Sequence, residues 1–144
     1  AFRLAEVGAH VICADIDDRF LNHVNKKKLD QGFTDEEVTT KIVHEDSPGE
    51  YDMTFGKVII VDTYHHIDNR VEYFKKVKDI LSEGGMLYVI DFRKDAEMDF
   101  GPPPEHRLSS EKVIEELKDA GFTNELVDIS TLPYQYIVRM TANN

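Results

Sequence analysis

Five residues with chemical side chains, Asp62, Thr63, Tyr64, His65 and His66, follow directly on the apolar run Lys57-Val58-Ile59-Ile60-Val61. An acid, two hydroxyls and two imidazoles in one short stretch can accept, hold and hand on a proton. The imidazoles suit general-base work, because their charge changes near neutral pH. His65 and His66 are therefore candidate bases, with one of the two expected to face a crevice and the other to be packed or solvated. A second apolar run, Met86 to Ile90, ends in Asp91. Together His65, His66, Asp62 and Asp91 offer nitrogen and oxygen ligands of the kind a metal takes. Side chains of adjacent residues diverge from an extended backbone, however, so no metal centre is expected.

These groups need elements to hold them. A β-branched run that is continuous rather than alternating predicts a strand covered on both faces, inside a parallel sheet. Polar residues at its carboxyl end predict a ligand crevice there, where open α/β sheets build their sites. After it, Asn69 and Glu72 are spaced as a capping box for a helix over Arg70 to Leu81, with Val71, Phe74, Val77 and Leu81 inward. Gly84-Gly85 then turns the chain into the strand Met86 to Ile90.

The rest of the chain repeats this alternation. Ala1 to Gly8 reads as the end of a helix stopped by Gly8. His10 to Ala14 is a buried strand ending at Asp15. Asp17 or Asp18 caps a helix over Arg19 to Leu29, with Phe20, Leu21 and Val24 as its stripe and Lys26-Lys27-Lys28 suiting its C-terminal dipole. Val38 to His44 is a third strand, nearer an edge, followed by a turn at Glu45 to Gly49. The polar stretch with Gly101-Pro102-Pro103-Pro104 predicts a substrate loop rather than a domain boundary. Ser109 caps the last helix, Leu108 and Val113 form a hydrophobic staple, and Gly121 stops it. Glu125 to Ile129 and Tyr134 to Met140 form an antiparallel pair. The class is α/β, and residues 1–144 are expected to form a single domain.

Composition narrows the possible partners. The chain has 144 residues, 17 basic and 28 acidic, for a net charge of −11. No basic face is evident, so neither nucleic acid nor an anionic membrane is an expected partner. No apolar run is long enough to span a bilayer, and a cytoplasmic location is the expectation. The one cysteine, Cys13, sits in an apolar run and reads as a small buried hydrophobe rather than a nucleophile.

The ordered stretches LAEVGAHVICADID (Leu4 to Asp17), VHED (Val43 to Asp46), VDTYHHID (Val61 to Asp68), KDILSEGGMLYVIDF (Lys78 to Phe92) and HRLSSEKVIEELKDAGF (His106 to Phe122) together resemble the class I S-adenosylmethionine-dependent methyltransferases. The resemblance implies a Rossmann-like sandwich, mostly parallel, with a C-terminal antiparallel hairpin. It implies S-adenosyl-L-methionine as cofactor and a small-molecule methyl acceptor. By position, Asp15 would accept hydrogen bonds from the ribose hydroxyls, Ile16 would lie against the adenine face, Asp46 would accept from the adenine amino group, and Asp62 would border the methionine part. Tyr64, Phe92, Arg93 and His106 would be walls of the acceptor pocket.

One departure from the family stands out. Its central first strand and the Gly-rich loop after it are not in this sequence. The expectation is an N-terminally truncated methyltransferase of doubtful activity. If the chain is complete, the gap is expected to close by direct pairing of the flanking strands or by another chain, as in a homo-oligomer with swapped strands. The alternatives are a non-catalytic remnant that acts by binding a partner and a nicotinamide-binding Rossmann domain. The latter also places an acid at the end of its second strand.

Overall fold

The computed structural model describes residues 1–143, which group into two compact units, Ala1–Gly49 and the residues from Glu50 onward. The first unit holds α1 (Phe2–Glu6), β1 (Val11–Asp15), α2 (Asp18–Gln31) and β2 (Val38–Ile42). Strands β1 and β2 pair in parallel, from Val11 opposite Val38 to Asp15 opposite Ile42. Helix α2 begins where the sequence places it. The Asp17 carboxylate accepts from the Arg19 backbone N–H at 2.9 Å, and Arg19 pairs with Asp17, holding its carboxyl down at about 2. Gly32 ends the helix in the left-handed region at φ 75°, the conformation that glycine adopts without strain.

Two side chains of α2 differ from expectation. Phe20 is exposed, so the inward stripe is carried by Leu21 with half-buried Val24. Lys28, in the lysine run, is buried and forms an ion pair with Asp35. Cys13 is half-buried, and burial raises its thiol, in keeping with a packing role.

The second unit contains β3 (Phe55–Val61), α3 (Arg70–Ile80), β4 (Leu81–Phe92), α4 (Ser110–Asp119), β5 (Phe122–Asp128) and β6 (Gln135–Ala142). Its four-stranded sheet runs β3-β4-β6-β5. Strands β3 and β4 are parallel, while β4–β6 and β5–β6 are antiparallel. Period-2 alternation turns Leu87, Val89 and Asp91 of β4 to one face, together with Tyr136, Val138, Met140 and Ala142 of β6. Phe74 and Val77 of α3 and Val113 and Leu117 of α4 complete that core. The late helix follows its sequence signals. Ser109 accepts from the Lys112 N–H at 3.2 Å, and Gly121 at φ 94° follows the last turn.

A buried ionic network ties α3 to α4. Arg70 donates to Glu116 at 2.7 and 3.0 Å, and the Tyr64 hydroxyl donates to Glu116 at 2.9 Å. Burial alone would raise the Glu116 carboxyl. The bonds from Arg70 and Tyr64 outweigh it and hold the group below its ordinary range.

Two expectations about this unit, the cover of β3 and the capping box of α3, differ from what is found. Strand β3 is not covered on both faces: Val58 and Ile60 pack on the core, while Ile59 and Val61 are 42% and 49% exposed. Within its own unit, β3 has a single ladder partner, β4, as expected of a strand whose other neighbour is not in this sequence. No capping box opens α3, since Asn69 sits at φ 47° with no side-chain cap bond and Glu72 pairs with Lys75 instead.

Gly84-Gly85 lies within the irregular start of β4 rather than in a separate turn. A methyl group on Gly85 would sit 2.7 Å from the Ser82 carbonyl oxygen and 3.1 Å from that of Phe55. Both obstacles are backbone, so relief requires moving a strand. Gly85→Ala is expected to destabilise the protein by about 3 kcal/mol, the upper end of overpacking costs. An unchanged urea midpoint would contradict this.

Candidate functional site

Side chains with chemical capacity collect at the carboxyl ends of the parallel strands in both units. In the first unit, β1 ends at Asp15, whose Oδ1 accepts from the Asp17 backbone N–H at 2.9 Å. The next residue, Ile16, is 60% exposed, and Ile42 at the end of β2 is 56% exposed. Ile16 and Ile42 line a shallow recess with Asp17 and Asp18. Two exposed isoleucines beside a carboxylate form a surface for a ligand with one flat apolar part and one hydroxylated part. Asp46 lies exposed in the turn after β2.

In the second unit, Asp62 ends β3. Its backbone N–H still continues the ladder, donating to Ile90 O at 2.8 Å. At φ 50° it then turns the chain, a conformation that aspartate tolerates better than most residues. Gln135 donates to its Oδ1 at 2.7 Å. Burial raises the Asp62 carboxyl and the nearby charge of Asp91 pushes it further up, with Gln135 and His65 working against them; the net shift is upward.

A raised carboxyl means that the native chain holds a proton which the unfolded chain has released. Stability therefore falls as pH rises from the ordinary carboxylate range through the raised value. Asp62→Asn keeps an acceptor for Gln135 and tolerates the same backbone turn. It is expected to melt higher than the parent at pH 7 and to converge with it as the pH falls into the carboxylate range. Equal melting temperatures at pH 7 would show that the Asp62 charge carries no such cost.

After Thr63 the chain makes a single 3-10 turn, Tyr64–His66. Its tight winding sends Tyr64 into the core and leaves His65 and His66 side by side. Tyr64 points into the core, is fully buried, stacks on Phe74 with ring centroids 4.9 Å apart and bonds Glu116. It is thus no wall of an open pocket, contrary to the expectation. His65 is nearly enclosed, with its side chain 5% exposed, whereas His66 is exposed. The two rings lie 4.1 Å apart, tilted by 42°. They do not diverge, because the backbone is wound rather than extended.

His65 Nδ1 lies 3.0 and 2.9 Å from the two oxygens of Asp91. Those oxygens also accept the backbone N–H groups of Phe92 at 2.8 Å and His65 at 3.3 Å. The Asp91 side chain is only 3% exposed. The sequence reading places Asp91 at a strand end and among possible metal ligands but does not give it His65 as a partner. The available signal is phase: Asp91 continues the alternation of Leu87 and Val89, and a carboxylate on a core face needs donors.

The other expected pocket residues lie near the end of β4. Phe92 meets Phe100 edge-on at 6.5 Å, and Phe100 meets Tyr134 at 5.0 Å. Arg93 pairs with Asp95 and donates to Ile129 O at 3.3 Å. His106 is exposed in a short 3-10 turn, Pro104–His106. Beside it, buried Arg107 donates to the carbonyls of Pro102 and Ala96, both at 2.7 Å, and so holds the proline-rich segment in shape. No helix among the described residues is long and apolar enough to cross a membrane.

Comparison with known proteins follows from this geometry. Residues 1–89 match the family model described as a methyltransferase domain. Curated proteins gave no match. Among solved structures, a SAM-dependent methyltransferase from Aquifex aeolicus is similar with a TM-score of 0.86 and 24% identity, over 97% of this chain and 74% of that one. SAM-dependent methyltransferases from Methanosarcina mazei are similar at 0.80 and 15% identity, over 99% and 86%. The cyclase SpnF is similar at 0.82 and 14% identity, over 99% and 69%. At these identities the structural likenesses speak to the fold, which hosts more than one chemistry.

Proposed function

The chain belongs to the methyltransferase domain family, and from that premise we propose that it transfers the methyl group of S-adenosyl-L-methionine to a small-molecule acceptor. Family membership leaves the nicotinamide-binding alternative without support. The observation that supports the cofactor reading is the recess of exposed Ile16 and Ile42 with Asp17 and Asp18, at the end of the strand where Asp15 lies opposite Ile42. When bound, the cofactor supplies an electrophilic methyl group on a positively charged sulfur.

The chain's own residues divide the remaining work. Asp15 accepts from the two ribose hydroxyls, for which a carboxylate has an oxygen each. Ile16 covers the adenine face, and Asp46 accepts from the adenine amino group. Asp62 borders the methionine part, where its negative charge favours a cation. Of the two candidate bases, His65 is the one whose ring is fixed by a partner, through Asp91. His66 lies tilted against it and is exposed. Phe92, Arg93 and His106 border the acceptor. Positioning supplies most of the acceleration that methyl transfer needs, and a base contributes where the acceptor must lose a proton.

A thermal melt of the chain with and without S-adenosylhomocysteine tests this reading. A ligand that binds only the native state adds about 2.7 kcal/mol at a hundredfold excess over Kd. A cooperative melt that moves upward is the expected result. A cooperative melt unmoved by saturating ligand would overturn the cofactor assignment and leave the fold as a binding module.

A further inference from the structure

We infer that Asp91 is a positioning residue that fixes the tautomer of His65, placing the ring proton on Nδ1 and keeping Nε2 as a proton acceptor. The inference goes beyond the function proposed above and rests on it only for the use of the ring.

Both Asp91 oxygens already accept a backbone N–H, from Phe92 and from His65 itself. A carboxyl with a backbone donor on each oxygen is set up as an acceptor, and an ionised carboxylate has no proton to give. His65 Nδ1 lies within hydrogen-bond reach of both oxygens, so the proton between them belongs to the ring. The bond made by one imidazole nitrogen decides the state of the other, which leaves Nε2 with its lone pair.

The geometry has three independent anchors. Asp91 is held by the β4–β6 ladder, where it pairs with Tyr136. His65 is held by the 3-10 turn and by its own backbone bond to Asp91. His66 lies against the ring, with centroids 4.1 Å apart and planes tilted by 42°. The other titratable groups acting on this pair are Asp62 at the end of β3 and Tyr136 on β6. Nδ1 donates to Asp91, and no hydrogen bond joins the ring to either of these two groups.

In use, an acceptor hydroxyl gives its proton to Nε2 and its oxygen keeps the electron pair. The imidazolium that results carries one proton on each nitrogen and lies against the Asp91 charge. Loss of the Nε2 proton to water restores the starting ring. The acceptor class is therefore a group that must shed a proton to become nucleophilic.

The test is a long-range proton–nitrogen correlation spectrum of the 15N-labelled full chain, recorded where the ring is neutral. Wild-type His65 is expected to show a protonated Nδ1 and an unprotonated Nε2, while exposed His66 shows the averaged signals of exchanging tautomers. In Asp91→Asn, His65 is expected to lose its fixed pattern. A wild-type His65 protonated at Nε2 would overturn the inference, and this holds even if the variant fails to fold. An Asp91→Asn spectrum identical to the parent would overturn it as well. The same sample titrated with S-adenosylhomocysteine separates the two proposals: a fixed tautomer without ligand binding upholds the positioning role and sinks the cofactor reading.

Discussion

Asp15→Ala is expected to weaken S-adenosylhomocysteine binding by about ten- to a hundredfold, the effect of losing hydrogen bonds to a charged group worth about 1.5–3 kcal/mol. Calorimetric titration measures it directly. A second role complicates the variant, because Asp15 Oδ1 also accepts the Asp17 N–H that leads into α2. Asp15→Asn resolves this. The amide keeps one oxygen for Asp17 but presents an NH2 where the second ribose hydroxyl would donate. If the ribose assignment holds, Asn weakens binding nearly as much as Ala while leaving the melting temperature close to the parent's. Affinity that survives both changes would remove Asp15 from the cofactor site.

The second large effect is expected at His65. Replacing a general base costs about a hundred- to ten-thousandfold in turnover. Alanine also strands the Asp91 carboxylate, whose side chain is 3% exposed, and the protein would lose stability for that reason alone. His65→Gln is the better variant, because its amide N–H can still serve Asp91 yet cannot take up a proton at neutral pH. The expected result is turnover reduced by at least a hundredfold, cofactor affinity within about threefold of the parent, and a cooperative melt. The corresponding change at exposed His66 is expected to cost less. A larger loss at His66 would exchange the two assignments.

Much of this fold is legible in the sequence where its cause is local. Asp17 and Ser109 cap their helices, and Gly32 and Gly121 stop them, because each signal acts within one turn of chain. The terminal hairpin is also legible from its two runs and the turn between them. What escapes is set by distant partners. The continuous apolar run of β3 reveals hydrophobicity but not what covers it, and Ile59 and Val61 are exposed. Asn69 has the residue type of a cap but a left-handed backbone. The site shows the same division. Asp62, His65 and His66 stand out by type and place, whereas their partners lie 73 residues away for Gln135 and 26 for Asp91. No periodicity encodes those distances. Tyr64 misleads because its polar tip suggests a pocket, while its ring and hydroxyl are both satisfied in the core.

The unequal cores of the two units bear on how affinity is to be understood. Ala5, Leu21, Val38 and Pro48 are the buried apolar side chains of the first unit, against the extended cluster of the second. Regions with few buried contacts open at lower free energy than the whole protein. Amide hydrogens of β1 and β2 should therefore exchange with solvent well before those of β4 and β6. The acids assigned to the nucleoside, Asp15 and Asp46, both belong to this loosely held unit. On that assignment a ligand bound there would also order the unit, and the dissociation constant would report that equilibrium as well as contacts. A substitution that merely tightens the packing beneath α2 would then strengthen cofactor binding without touching it.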